Sequence, residues 1–165
     1  MNTGLLLVRL VLGALMAAHG AQKLFGWFGG YGLAAVAGMF DGLGFRPSRL
    51  FAAVAAVSEV ASGVLVAAGF LGPVGPALMM SVMIVAAVSV HWRNGLFAMA
   101  NGIELPLLYA TVAAALAFTG PGLYSLDALL GLTRLWAPDV TLTALAIGVF
   151  GGIGSLAVRS APAHA

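Results

Sequence analysis

His19 and Lys23 stand four residues apart inside an apolar run that begins near Leu5. Four residues is one helical turn, so both project from the same face. Within a bilayer such groups are costly, roughly 2.5 kcal/mol or more for a lysine at mid-depth, and something nearby must offset that cost. Glu59 poses the same problem more sharply. It lies about nine residues from the end of its own apolar segment, ~14 Å of helix, too deep for a glutamate to reach the headgroups. Two chemistries suit it: an ion pair or hydrogen bond to Lys23, His19 or Arg93 that fixes helix register, or a neutral carboxyl that relays a proton. The residue types alone leave both open.

The rest of the composition says what medium these groups occupy. Of the 165 residues, 62% are hydrophobic and 7% charged, against about 25% charged in a soluble domain. The chain reads as an integral membrane protein. Its net charge of +2 and lack of any basic run give no footing for nucleic acid. With no cysteine, thiolate metal sites, protein-bound iron–sulfur clusters and thiol exchange by its own side chains are excluded. Leu5 to Ala18 resembles a signal-peptide core in length, but Arg9 interrupts it, a basic leader is missing and further spans follow. A retained first helix is expected.

The elements that must position the polar groups follow from length and punctuation. A first span covers Gly4 to Leu24, with Arg9, Gly13, Met16, His19, Gly20 and Lys23 on one arc. Small residues sharing an arc with polar ones mark a helix–helix contact, so this arc points into a bundle. Trp27, Phe28 and Tyr31 follow among glycines, as aromatics do where a chain leaves the hydrocarbon. Between Gly32 and Pro47 a short amphipathic stretch predicts an interfacial helix, and Ser48 is a suitable N-cap for the next span. That second span, Leu50 to Leu71, carries Glu59, Ser62 and Gly63 on one side. The turn at Gly72 to Pro76 makes the third span, Val74 to Val90, antiparallel to it. A fourth runs from Ile103 to Thr119 with Pro106 in its first turn. After a broken apolar stretch comes a fifth, Val140 to Val158, free of charge and carrying Gly148, Gly151, Gly152 and Gly154. The tail after Arg159 is expected to be disordered.

Connectivity then sorts the polar residues by membrane face. The first and third spans end, and the second and fourth begin, on one face, which collects His19, Lys23, His91, Arg93, Asn94 and Glu104 above the deeper Glu59. The opposite face is nearly bare, with Arg9, Asp127, Arg134 and Asp139. This asymmetry is the strongest functional signal in the chain.

Several stretches carry a family resemblance: LLLVRLVLGALMAAHGAQKLFGWFGG from Leu5, SEVASGVLVAAGFLGP around Glu59, VHWRNGLF from Val90, IELPLLY from Ile103 and GPGLYSLD from Gly120. In this order they resemble the DoxX family of small bacterial membrane proteins, over roughly residues 4 to 128. The resemblance implies a four-helix membrane bundle, and the fifth segment departs from it. It also implies a redox setting, since relatives are described as subunits of a thiosulfate:quinone oxidoreductase or partners of redox-stress enzymes. His19 and Lys23 are the positions it carries over.

The expected fold is an all-α membrane protein: a four-helix transmembrane bundle at 1–128, a short interfacial helix after the first span, and a C-terminal extension at 129–165 with a fifth transmembrane segment. The expected function is the membrane subunit of a redox complex that contacts quinone, in the bacterial inner (plasma) membrane. The alternative is a non-catalytic scaffold that docks a soluble redox or stress-response partner. Besides lipid, a quinone and a soluble redox protein are the expected partners. Ligand-binding candidates are His19, Lys23, Glu59, His91, Arg93, Asn94 and Glu104, converging on a pocket walled by Met16, Phe25, Trp27, Val66 and Trp92. His19 and His91 invite a bis-histidine haem, but His91 sits at a helix end. His19, His91, Glu59 and Glu104 share no metal-ligand spacing, so neither a metal nor a covalent cofactor is expected.

Overall fold

Heptad spacing of small and apolar residues builds this molecule. The computed structural model describes residues 1–160. Helix α1 (Asn2–Phe25) buries Arg9, Gly13, Met16 and Gly20, and α3 (Ser48–Ala68) buries Ala52, Ala56, Glu59, Gly63 and Val66. Both stripes step by four and three residues, the seam spacing of helices that cross at a shallow angle. Where they meet, backbones nearly touch. A Cβ on Gly20 would lie 2.6 Å from the Ala56 carbonyl oxygen, and one on Gly63 would lie 2.5 Å from the Ala17 nitrogen.

Helix α4 (Val74–Ala86) is the centre of the bundle, packed on α3, α5 (Glu104–Thr119) and α7 (Pro138–Ala157). Met16, Val66, Met79, Met83, Tyr109, Ala113 and Leu116 form the core between α1, α3, α4 and α5. On the other side of α4, α7 approaches through Gly148 and Gly152, which abut the Ala77 and Ser81 backbone. Gly154 meets nothing and takes no part in that contact.

The chain is all helical among the described residues, as the sequence predicts. Four helices are long and apolar enough to cross a membrane: α1, α3, α7 and the run Val74–Asn94 that extends α4. At 16 residues, α5 is ~24 Å long, short of the ~30 Å hydrocarbon core. It nonetheless joins the two faces, because the segment after it bonds to the α1 and α3 ends on the opposite face, where Arg9 donates to the Tyr124 carbonyl and the Asp127 backbone N–H to the Gly69 carbonyl. The short helix after the first span is α2 (Gly32–Gly42), laid against α3 through Val36, Ala37 and Phe40.

Two local expectations are corrected. Ser48 is not the N-cap of α3 but its first residue. Pro47 holds the cap position, and its carbonyl receives the Leu50 and Phe51 N–H groups. The third span does not stop at Val90 either. It continues through a wider π turn, Ala87–His91, and a 3₁₀ turn, Trp92–Asn94. Of the tail expected to be disordered, Ser160 bonds to Gly44, while 161–165 lie outside the described residues.

The nearly bare face carries a buried polar knot. Arg9, 3% exposed, donates to the Val66 and Ala67 carbonyls at 3.1 and 3.0 Å, to Tyr124 at 2.8 Å and to Pro121. Carbonyls 66 and 67 lie in the last turn of α3, where helical donors run out, so the guanidinium serves as a C-cap supplied by another helix. Asp127, wholly buried in the short α6 (Leu126–Leu129), accepts from the Leu71 and Gly72 N–H groups and from Trp136 Nε1 at 2.7 to 3.0 Å. Together they tie the α3–α4 turn to the α5–α7 connection.

Candidate functional site

The offset for Lys23 is Glu59. Lys23 Nζ lies 2.6 Å from both carboxylate oxygens, and Glu59 is 3% exposed. Backbone direction explains why they meet. Both residues continue the heptad stripes, Lys23 seven after Met16 and Glu59 seven after Ala52, and the two helices are antiparallel. Helical side chains lean toward their own N-terminus. Lys23 therefore leans into the bundle and Glu59 leans outward, so each reaches the other from a different depth.

The pair borders a cavity of about 210 Å³ enclosed by α2, α3, α4 and the end of α7. Its walls are apolar, chiefly Met39, Phe40, Phe45, Phe51, Val82 and Val85. The polar groups on its surface are few: Lys23, Glu59, His91 and the hydroxyls of Ser58, Ser81, Ser89 and Ser155. Ser155 is bonded back to Gly151. The Ser89 hydroxyl oxygen is buried and has no hydrogen-bond partner among the described residues. It sits in the π turn of α4, a distortion that recurs at functional sites because the widened turn re-aims side chains.

Of the seven predicted site residues, Lys23, Glu59 and His91 line this cavity; His19, Arg93, Asn94 and Glu104 do not. His19, one turn before Lys23, stays outside the cavity lining: it is exposed, with its ring edge-on to Tyr109 of α5 and Nδ1 3.2 Å from Gln22 Oε1. Asn94 and Glu104 organise the α4–α5 loop. Asn94 donates to the Val90 and Asn101 carbonyls, and a Glu104 oxygen accepts the Ala98 N–H at 2.7 Å. Arg93 is exposed in the same loop. His91 Nδ1 lies 2.8 Å from the Asn101 carbonyl. A carbonyl only accepts, so Nδ1 carries the proton and Nε2 is left as the other acceptor or donor.

The predicted walls are also corrected. Met16 and Val66 belong to the core between α1, α3, α4 and α5, while Phe25, Trp27 and Trp92 are exposed. The cavity opens on the far side of α3 because α2 folds back there, a placement no helical phase on α1 specifies. The residues missed by sequence reasoning, Ser89 and the three phenylalanines, carry only weak signals: a serine in an apolar span and aromatics flanking the Arg46–Arg49 turn.

The family model for DoxX matches residues 4–92, more than half of the chain. The chain belongs to the DoxX family. That stretch holds α1 to α4, and with it Lys23, Glu59, Ser89 and His91. Helix α7, which completes the cavity beside the DoxX-matched helices, lies beyond it. No curated protein and no solved structure matches the chain. The protein is thus a multi-pass membrane protein of the DoxX family.

Proposed function

We propose that the cavity takes the headgroup of a membrane quinone and that the protein is the membrane subunit of a redox complex acting on it. The observation that carries this reading is the Ser89 hydroxyl, buried without a partner among the described residues in a largely apolar chamber whose other polar features are an ion pair, a histidine and three further serines. An unpaired buried hydroxyl is costly, and a ligand oxygen would relieve it. Volume limits what fits. About 210 Å³ is below the ~300–1,000 Å³ of drug-sized sites, so a ring enters and an isoprenoid tail stays outside. Met39 and Val54, exposed at the edge of the lining, put that exit on the apolar surface.

In this reading Ser89 donates to one ring oxygen and Lys23 supplies positive charge near it, with Glu59 holding the ammonium in place. His91 Nε2 exchanges a proton with the mouth of the site. Reduction to the quinol takes two electrons and two protons, and the electrons come from a soluble redox partner. A helical bundle, unlike the closed barrels of outer membranes, belongs in the bacterial inner (plasma) membrane.

The test is extraction. Protein purified in mild detergent should carry quinone detectable by mass spectrometry, and Ser89→Ala or the space-filling Val85→Trp should lower its occupancy. If the purified protein holds no quinone and retains no added short-chain quinone, the reading fails. The scaffold reading would then stand, favoured by Phe97 and Met99, which are largely or fully exposed on the α4–α5 loop and offer apolar surface to a partner.

A further inference from the structure

One wall of the cavity is held from the far end of the chain. Ser155 of α7 is on its lining, and just past the end of α7 at Ala157, Arg159 turns over the link between α2 and α3. Its Nε donates to the Leu43 carbonyl at 2.9 Å, and its guanidinium lies 5.3 Å from the centre of the Phe45 ring. Ser160 adds a backbone bond, its N–H to the Gly44 carbonyl at 2.8 Å. Gly44 has φ +88°, and a Cβ there would collide with the Ser160 carbonyl, so this approach requires glycine. Phe45 is 1% exposed and packs on Phe40 and Phe51, with ring centres 5.2 and 5.3 Å away. All three rings line the cavity.

We propose that Arg159 is a positioning residue of the cavity: the strap from α7 to the α2–α3 link holds Phe45 as the aromatic wall and keeps that side shut. An arginine whose only task was to anchor a helix end would extend to the headgroups. This one commits Nε to a carbonyl and its guanidinium to a ring buried beneath it. The element it holds, α2, is eleven residues long and is bound to the bundle chiefly through α3. The inference rests on the cavity of the proposed site and is independent of which ligand fills it.

The absence of cysteine allows a direct test. Ser89→Cys places a lone thiol in the cavity, and any rise in its rate of modification by N-ethylmaleimide over that of the strapped chain reports entry past the Phe45 wall in addition to entry at the existing mouth. In the full-length protein in nanodiscs, adding Arg159→Ala should speed labelling about tenfold, as loss of a charge-assisted hydrogen bond and a cation–π contact implies. Arg159→Gln, which keeps a donor but not the charge, should fall between, and it serves if the alanine variant does not fold. Arg134→Ala, on the opposite face, should leave the rate unchanged. Equal rates with arginine, glutamine and alanine at 159 in folded protein overturn the proposal, as does a thiol that is unreactive in all of them. Quinone retention by the otherwise unaltered chain is measured separately, so loss of the strap and loss of the quinone reading are distinguishable.

Discussion

Lys23 Nζ touches both oxygens of Glu59 at 2.6 Å, across a seam where the α1 and α3 backbones approach through Gly13, Gly20 and Gly63. The ion pair is a member of the packing stripe, with small residues on one side of it and the cavity on the other.

Removing Lys23 leaves Glu59 as a buried, unpaired charge, whereas Lys23, with 26% of its side chain exposed, can reach water when Glu59 is lost. Lys23→Met is expected to lower stability in detergent melts by about 3 kcal/mol or more, and Glu59→Gln by less. The double variant Lys23→Met with Glu59→Leu should be more stable than either single one, because no uncompensated charge remains. Additive losses in that cycle would show that the two residues do not act as a pair.

Arg9 and Asp127 make the matching prediction at the opposite face. Asp127→Ala strands three donors, two backbone N–H groups and Trp136 Nε1, and should cost about 3 kcal/mol. Arg9→Lys keeps the charge but cannot reach four carbonyls with one ammonium, and a loss of about 2 kcal/mol follows. Quinone content should be unchanged in both, since neither residue lines the cavity. Mass spectrometry of the purified variants checks this.

The glycine seam can be probed by adding single methyl groups. Gly20→Ala places a Cβ 2.6 Å from the Ala56 oxygen and the Val60 side chain, and should cost about 2 kcal/mol as the helices are forced apart. Gly154→Ala meets nothing within 4 Å and should be neutral or slightly stabilising through helix propensity. Equal melting temperatures for the two variants would refute the close α1–α3 approach.

Orientation follows from the arginines that lie outside the buried interior of the bundle. Lys23 and Arg9 are committed inside the bundle. Arg46, Arg49, Arg93 and Arg159 remain on the face that holds the cavity mouth, against Arg134 on the other. The positive-inside bias puts the cavity face in the cytoplasm and the N-terminus outside. In intact cells, a membrane-impermeant maleimide should label a cysteine at the exposed Thr133 and spare one at the exposed Ala98. The reverse pattern would invert the topology.

The sequence by itself determined the helices, their order and the buried arc of α1. Those follow from span length and from glycine and proline punctuation, which act locally. The heptad of small and polar residues at Arg9, Gly13, Met16 and Gly20 already marked the contact face, and Glu59 already demanded a partner too deep to be water. The choice of Lys23 over His19 or Arg93 was made by the antiparallel crossing, which brings two leaning side chains to one depth. The cavity was likewise a tertiary decision. It exists because α2 folds back on α3 and α7 docks against α4, with Ser89 on the lining in a π turn. Each of those depends on contacts between residues distant in the chain, such as Arg159 with Phe45 and Gly148 with Ala77, and no local spacing encodes them. Asp127 shows the same limit. One acidic residue in a broken apolar stretch gives no sign that two backbone amides and an indole from separate segments will close around it.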